Sequence, residues 1–243
     1  MRLGRQMKTF TAEQRRLWLC GILWALLTLN PINLLPFRIG WLLLSAGLAV
    51  YVLWHWRNSR RLWYGLGLSV LLVLGWFTVG ARRTTVEEIR AEYIRALMGY
   101  EGVGYLWGGE GRLGIDCSGL VRRGFIDAQL WLGLTHGDAY ALGLAAFLWC
   151  HDQSAAAMRD GEAGTTISIK DNIALNALDY SWLNPGDIMV TSNGEHCMVY
   201  LGNREWISAD PTAGEVFRAS APDSRVHWFI TDAHIFRWRW LAN

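Results

Sequence analysis

The chain has 243 residues, of which 52% are hydrophobic and 15 are tryptophan, and its net charge is only +2. That is too apolar for an ordinary soluble domain of this size, and the small net charge hides a split. Residues 1–80 carry nine Lys or Arg against Glu13 alone, a net of +8, whereas residues 81–243 carry 14 basic and 20 acidic residues, a net of −6, which argues against nucleic acid as a partner of the second part.

Three stretches, 17–37, 39–56 and 62–80, contain no Asp, Glu, Lys or Arg, and each approaches the roughly 20 apolar residues that cross a bilayer. They predict about three transmembrane helices: three such segments in residues 1–80 have no polar face to turn to water, and a cleaved signal peptide supplies one stretch, not three. The first is the weakest, because its clean apolar run is 17–29 and Asn30, Pro31, Asn33 and Pro36 follow, so it bends or re-enters. Arg2, Arg5, Lys8, Arg15 and Arg16 precede the first segment, Arg57, Arg60 and Arg61 separate the second from the third, and only Arg38 lies between the first two. Clustered basic residues stay cytoplasmic. The expected protein is therefore a multi-pass membrane protein with residues 81–243 outside the cytoplasm, which in a bacterium means the inner membrane and a domain facing the periplasm or cell exterior, although Arg82 and Arg83 pull mildly the other way.

The second domain reads as helix, loop, helix, then strands. "TTVEEIRAEYIRALMGY" offers Thr84 or Thr85 as a cap, Glu87 and Glu88 in the first turn, and apolar residues at helical spacing. A glycine-rich loop from Gly102 to Gly114 follows, and helical pattern resumes near Cys117. Residues 138–164 read as an insertion, apolar and Ala-rich before His151 and polar after it: a lid over the groove, or an extra helix packed on the core. "GDIMVTS", "HCMVYLG" and "REWISAD" are consecutive antiparallel strands broken by Asn-Gly and Gly-Asn turns.

A cysteine in the first turn of a helix lies where unpaired N–H groups and the macrodipole favour negative charge, so its thiolate forms more easily and an oxyanion can be received beside it. His196, at the start of a strand, is the best-placed base among the six histidines. On the residues alone, Cys117 is either a nucleophile paired with His196 or a small buried structural cysteine.

The stretches "YLWGGEGRLGIDCSGLV", "NPGDIMV" and "EHCMVYLGN", in this order, resemble the NlpC family of papain-like cell-wall cysteine peptidases, over residues from about 86 to 215. The resemblance implies an α+β, papain-like domain with the nucleophile at a helix N-terminus packed on an antiparallel sheet. It also implies hydrolysis of a peptide bond in peptidoglycan stem peptides, typically between D-γ-glutamate and the diamino acid. On that pattern Cys117 is the nucleophile and His196 the general base, Tyr105 lies beside the thiol, and Asp116 and Ser118 flank the pocket, where a carboxylate can pair with a free amino group. Asp116 also reads as a helix cap and Ser118 as a first-turn polar residue. Trp107 is either a substrate contact or, the favoured reading, aromatic packing beneath the loop.

The family's usual polar residue about twelve positions after the base is here Ser208, which offers no charge; Asp210, on the same strand face by alternation, is favoured over it as the group that orients His196. Cys150 and Cys197 could pair in an oxidising compartment but are read as two buried free thiols, with Cys197 pointing away from the site. The sequence has no CxxC, HExxH or phosphate-loop spacing, so neither a metal nor a cofactor is expected. Three function classes stay open: a membrane-anchored peptidoglycan endopeptidase, whose partners are the stem peptide and the bilayer; a cysteine acyltransferase or lipid-modifying relative; and a non-catalytic wall-binding module.

Overall fold

The computed structural model describes residues 11–32, 34–79 and 82–242. Arg2, Arg5, Lys8 and Asn33, and the expected boundary at residues 80 and 81, lie outside the described residues. The contacts divide the chain into two units, Met1–Asn30 with Leu34–Leu66, and Pro31–Asn33 with Gly67–Asn243.

In the first unit, α1 (Ala12–Leu29) opens with a reciprocal cap between Thr11 and Gln14 and stops at Asn30, the residue before Pro31, where a proline disfavours helical backbone. Helix α2 (Leu35–His55) tolerates Pro36 because it falls in the first turn, where a missing N–H costs no hydrogen bond. Arg38, expected in the turn, lies inside α2 and is 3% exposed. Indole groups tie the helix pair: Trp24 Nε1 donates to Ser45 Oγ at 2.8 Å and Trp41 Nε1 to Thr28 Oγ1 at 2.9 Å. Helix α3 (Arg60–Val79), the last of the apolar segments, begins in the first unit and continues into the second from Gly67 on. Among the described residues two helices, not three, are long and apolar enough to cross a membrane, Leu35–His55 and Arg60–Thr78. Their 21 and 19 residues match a hydrocarbon layer of about 30 Å. Helix α1 falls short because Arg15 and Arg16 occupy its start and Asn30 ends it early.

The second unit is α+β. Helix α4 (Val86–Met98) has Thr85 as its cap in a capping box with Glu88. The loop after it carries a small hairpin, β1 (Glu110–Gly111) and β2 (Gly114–Ile115), and leads into α5 (Cys117–His136). Six strands form one antiparallel sheet: β3 (Thr166–Ile173), β4 (Ile188–Thr191), β5 (Cys197–Gly202), β6 (Glu205–Asp210), β7 (Glu215–Ser220) and β8 (Ala233–Trp238), in the order β3-β8-β4-β5-β6-β7. Alternation sorts the core by face. Ile188, Val190, Val199 and Ile207 join Tyr93, Leu120 and Phe125 of α4 and α5, whereas Met189, Met198, Tyr200 and Trp206 join Leu175 and Phe229 on the other side.

Within residues 138–164, α6 (Ala139–Cys150) buries Ala141, Leu144, Ala145 and Leu148, one helical stripe, and packs on α5. A short α7 (Ala155–Arg159) follows. The first half of this stretch is therefore a helix packed on the core. A buried guanidinium fastens it: Arg122 on α5 lies 3.0 Å from Glu110 and 2.5 Å from Asp152, and donates to Leu148 O at 3.0 Å. The loop before α5 has a further backbone partner, since Glu110 N donates to Pro31 O at 3.0 Å and Ile32 pairs antiparallel with Gly109.

Candidate active site

The Cys117 side of the site is built by α5 and the loop in front of it. Asp116 caps the helix: Oδ1 accepts from Gly119 N at 2.6 Å and from Ser118 Oγ at 3.0 Å, and Oδ2 accepts from Gly108 N at 2.7 Å. Loop and helix come this close only because residue 119 is glycine; a Cβ there would lie 2.3 Å from Gly109 O. Burial raises the Asp116 carboxyl above its ordinary pKa, against the pull of the Gly119 and Gly108 amides and the Ser118 hydroxyl. Cys117 is the first residue of α5 and 7% exposed. The thiol contacts Glu195 O at 3.9 Å, and interaction with the neighbouring Cys197 and His196 side chains holds it well below its ordinary pKa although burial opposes them. Cys197, tied to Cys117 and fully buried, is pushed well above the ordinary range.

The His196 side is built by two hairpins. Between β4 and β5, Thr191 Oγ1 accepts the amides of Glu195 at 3.2 Å and His196 at 3.0 Å, and Thr191 N donates to His196 O at 3.0 Å. Gly194 takes φ +74° in this turn, where a Cβ would also strike Ala156 at 2.8 Å. The turn sets His196 one residue ahead of β5, 1% exposed. Ser208, on β6, contacts His196 Nε2 at 2.8 Å and donates its own proton to Cys197 O at 3.0 Å. With that proton spent, Ser208 Oγ accepts from Nε2–H, which leaves the Nδ1 lone pair as the basic one. Trp228 covers one face of the imidazole, ring centroids 4.0 Å apart and planes 15° from parallel.

The favoured orienting group, Asp210, does not touch the imidazole. Its Oδ1 accepts from Thr212 N and Ala213 N, at 2.5 and 3.1 Å, and its Oδ2 accepts from Trp228 Nε1 at 2.7 Å. A carboxylate at the end of a strand is drawn to the free amides of the next turn, and the hydrogen bond to His196 goes to Ser208. Tyr105 is half-buried near the thiol; burial, and after it the negative charge at Cys117 and Asp116, pushes its hydroxyl up to about 12, so it is a neutral donor. Trp107 is 78% exposed and not packed beneath the loop. Cys197 does not point away: His196 precedes the first paired residue of β5, so alternation does not separate the two, and Cys197 faces α5 with Val199. All four cysteines are free, and Cys150 is exposed, not buried.

Residues 102–228, just over half of the chain, match the NlpC/P60 family. The chain belongs to that family. Solved structures similar to it include NlpC1 from Trichomonas vaginalis, 16% identical over 65% of this chain and 46% of that one, with a TM-score of 0.42. The NlpC/p60 domain of the peptidoglycan hydrolase SagA is 23% identical over 60% of this chain and 97% of that one, with a TM-score of 0.35. The peptidoglycan hydrolase RipB from Mycobacterium tuberculosis is 19% identical over 63% and 67%, with a TM-score of 0.38. The chain thus spans less than half the length of the first of these. No curated protein matches it.

Four features of this NlpC/P60 domain escaped the sequence: Trp228 stacked on His196, Cys197 beside Cys117, Thr191 under the hairpin that carries His196, and the Glu110–Arg122–Asp152 cluster behind the loop. Only Thr191 had a signal, the Asn193-Gly194 turn that a hairpin residue must close. Among the described residues no group of three His, Cys, Asp or Glu is placed to hold a metal ion.

Proposed function

We propose that this protein is a cysteine peptidase that hydrolyses a peptide bond in peptidoglycan stem peptides, of the D-γ-glutamyl-diamino acid type. The observation that carries the reading is a thiol at the N-terminus of a 20-residue helix, its pKa well lowered, beside an imidazole whose Nε2 is committed to Ser208. His196 Nδ1 takes the Cys117 proton. The thiolate attacks the substrate carbonyl, and the oxyanion meets the N–H groups of the first turn of α5. The imidazolium then protonates the leaving amine, the C–N bond breaks, and an acyl thioester remains on Cys117. Water, deprotonated by Nδ1, attacks the thioester; the acid leaves and the thiol is restored. Tyr105 supplies a neutral donor beside the thiol, Ser118 a hydroxyl at the rim and Trp107 an exposed aromatic face; Asp116, its oxygens already accepting, serves as a cap more than as an amine partner.

The names of SagA and RipB, peptidoglycan hydrolases both, agree with this substrate class. The apolar helices suit a bilayer. If α2 and α3 each cross once, the residues before Leu35 and those after Val79 emerge on one side, and Arg57, Arg60 and Arg61 stay on the other. Pro31 and Ile32, which pair with Glu110 and Gly109, support that arrangement. With the arginine loop cytoplasmic, the catalytic unit faces the wall whether or not α1 crosses. Purified full-length protein incubated with muropeptides should yield the two halves of the γ-glutamyl bond by mass spectrometry. Cleavage that persists in Cys117→Ala, or no cleavage of any stem peptide, would overturn the reading.

A further inference from the structure

We infer that Trp228 is the positioning residue of the base and that Asp210 acts on His196 through it. The inference rests on the nucleophile and base roles proposed above. A single neutral hydrogen bond from Nε2 to Ser208 fixes one edge of the imidazole but leaves the ring free to swing about that contact. Nδ1 points at the sulfur only if the plane of the ring is also fixed. The indole of Trp228 fixes it: the two rings lie nearly parallel at 4.0 Å, in a site where His196 is 1% exposed. Trp228 is itself held at two points. Its neighbour Phe229 is fully buried in the core on that side of the sheet, and Nε1 donates to Asp210 Oδ2 at 2.7 Å.

The carboxylate has a second consequence. An N–H that donates to an anion leaves its indole more electron-rich, and an electron-rich face attracts a cation stacked on it. The imidazole becomes that cation when it takes the Cys117 proton. Stacking is therefore stronger after proton transfer than before it, which is the direction that favours turnover over substrate binding. Ser208 and Asp210 divide the work that one carboxylate does in a triad: the serine selects the tautomer, and the carboxylate stabilises the charge from the other side of an indole.

Two reporters test this on full-length protein in detergent: hydrolysis of stem peptide, and the rate at which iodoacetamide labels Cys117, which needs no substrate. Trp228→Ala should lower both roughly tenfold, with KM changed by less than about twofold. Trp228→Phe, which keeps a ring on the imidazole and avoids a cavity, should recover both to within about threefold. Asp210→Ala should cost severalfold in the wild-type background and nothing more in Trp228→Phe, where the indole N–H it acts through is gone. Unchanged labelling and turnover in Trp228→Ala, no recovery in Trp228→Phe, or an Asp210→Ala cost equal in both backgrounds would overturn the assignment. If wild-type Cys117 labels no faster than the exposed Cys150, the nucleophile role fails and takes this assignment with it. If Cys117 labels fast but stem peptides are untouched, only the substrate is wrong, and the labelling series still decides the role of Trp228.

Discussion

The two walls of the site are held by different physics. On the nucleophile wall, Asp116, the glycine-rich loop and the start of α5 are neighbours in sequence, and a carboxylate, backbone amides and a helix end supply the electrostatics. On the base wall, Thr191, Ser208 and Trp228 come from three separate segments and act by neutral hydrogen bonds and ring stacking; the one carboxylate stands a residue away from the imidazole. The difference shows where each wall is vulnerable. The first should fail by losing its chemistry or its fold, the second by degrees.

The sharpest break is Cys117→Ala, which should drop hydrolysis roughly 10⁴-fold or more with no loss of folding by circular dichroism. Arg122→Met tests the scaffold behind the same wall. It strands the Glu110 carboxylate, 3% exposed, and should lower stability by about 3–5 kcal/mol in thermal or denaturant unfolding. A loss below about 1 kcal/mol would mean that water or another group takes over the carboxylate. On the base wall, Ser208→Ala should reduce kcat roughly tenfold to a hundredfold by releasing the tautomer, and Asp210→Asn by less than about fivefold, since an amide oxygen still accepts from Trp228. The opposite ranking would return the orienting role to the carboxylate.

A gentler test joins the walls. The Cys197 side chain helps to lower the Cys117 pKa, so in Cys197→Ala the thiolate should form only at higher pH, and the acid limb of the iodoacetamide labelling profile should move up. Labelling that keeps its wild-type profile would leave His196 and the helix end as sufficient. The smallest effect belongs to Trp107→Ala: a side chain 78% exposed should leave unfolding unchanged and raise KM by about threefold at most.

What was legible in the sequence follows the same division. Asp-Cys-Ser-Gly at a helix start is local, because cap, nucleophile and close-approach glycine act within four residues, and the strand cores at 188–191, 197–202 and 205–210 announce themselves by β-branched and aromatic residues. The partner of His196 was narrowed to two residues on one strand face; the choice between them was invisible, because it turns on the amides of residues 212 and 213 and on an indole 18 residues further along the chain. Charge-free runs located the apolar helices but not their ends. Proline marked where α1 stops, yet charge alone did not reveal that α2 begins before Arg38 and carries it inside.

The pairing of Pro31 and Ile32 with Gly109 and Glu110 gives the short connection between α1 and α2 a share in the loop that leads to Asp116. A protease that clipped the chain near residue 82 would release a domain with its nucleophile, base and cap intact. It would also strip a backbone acceptor from Glu110 N and uncover the edge of the loop that cradles Asp116. Such a shed form would have lost one of the partners that pin this loop. On the function proposed above, a tether would then limit more than reach: the chain cut loose would be the less active form, and bond cleavage would be confined to the layer of wall next to the membrane.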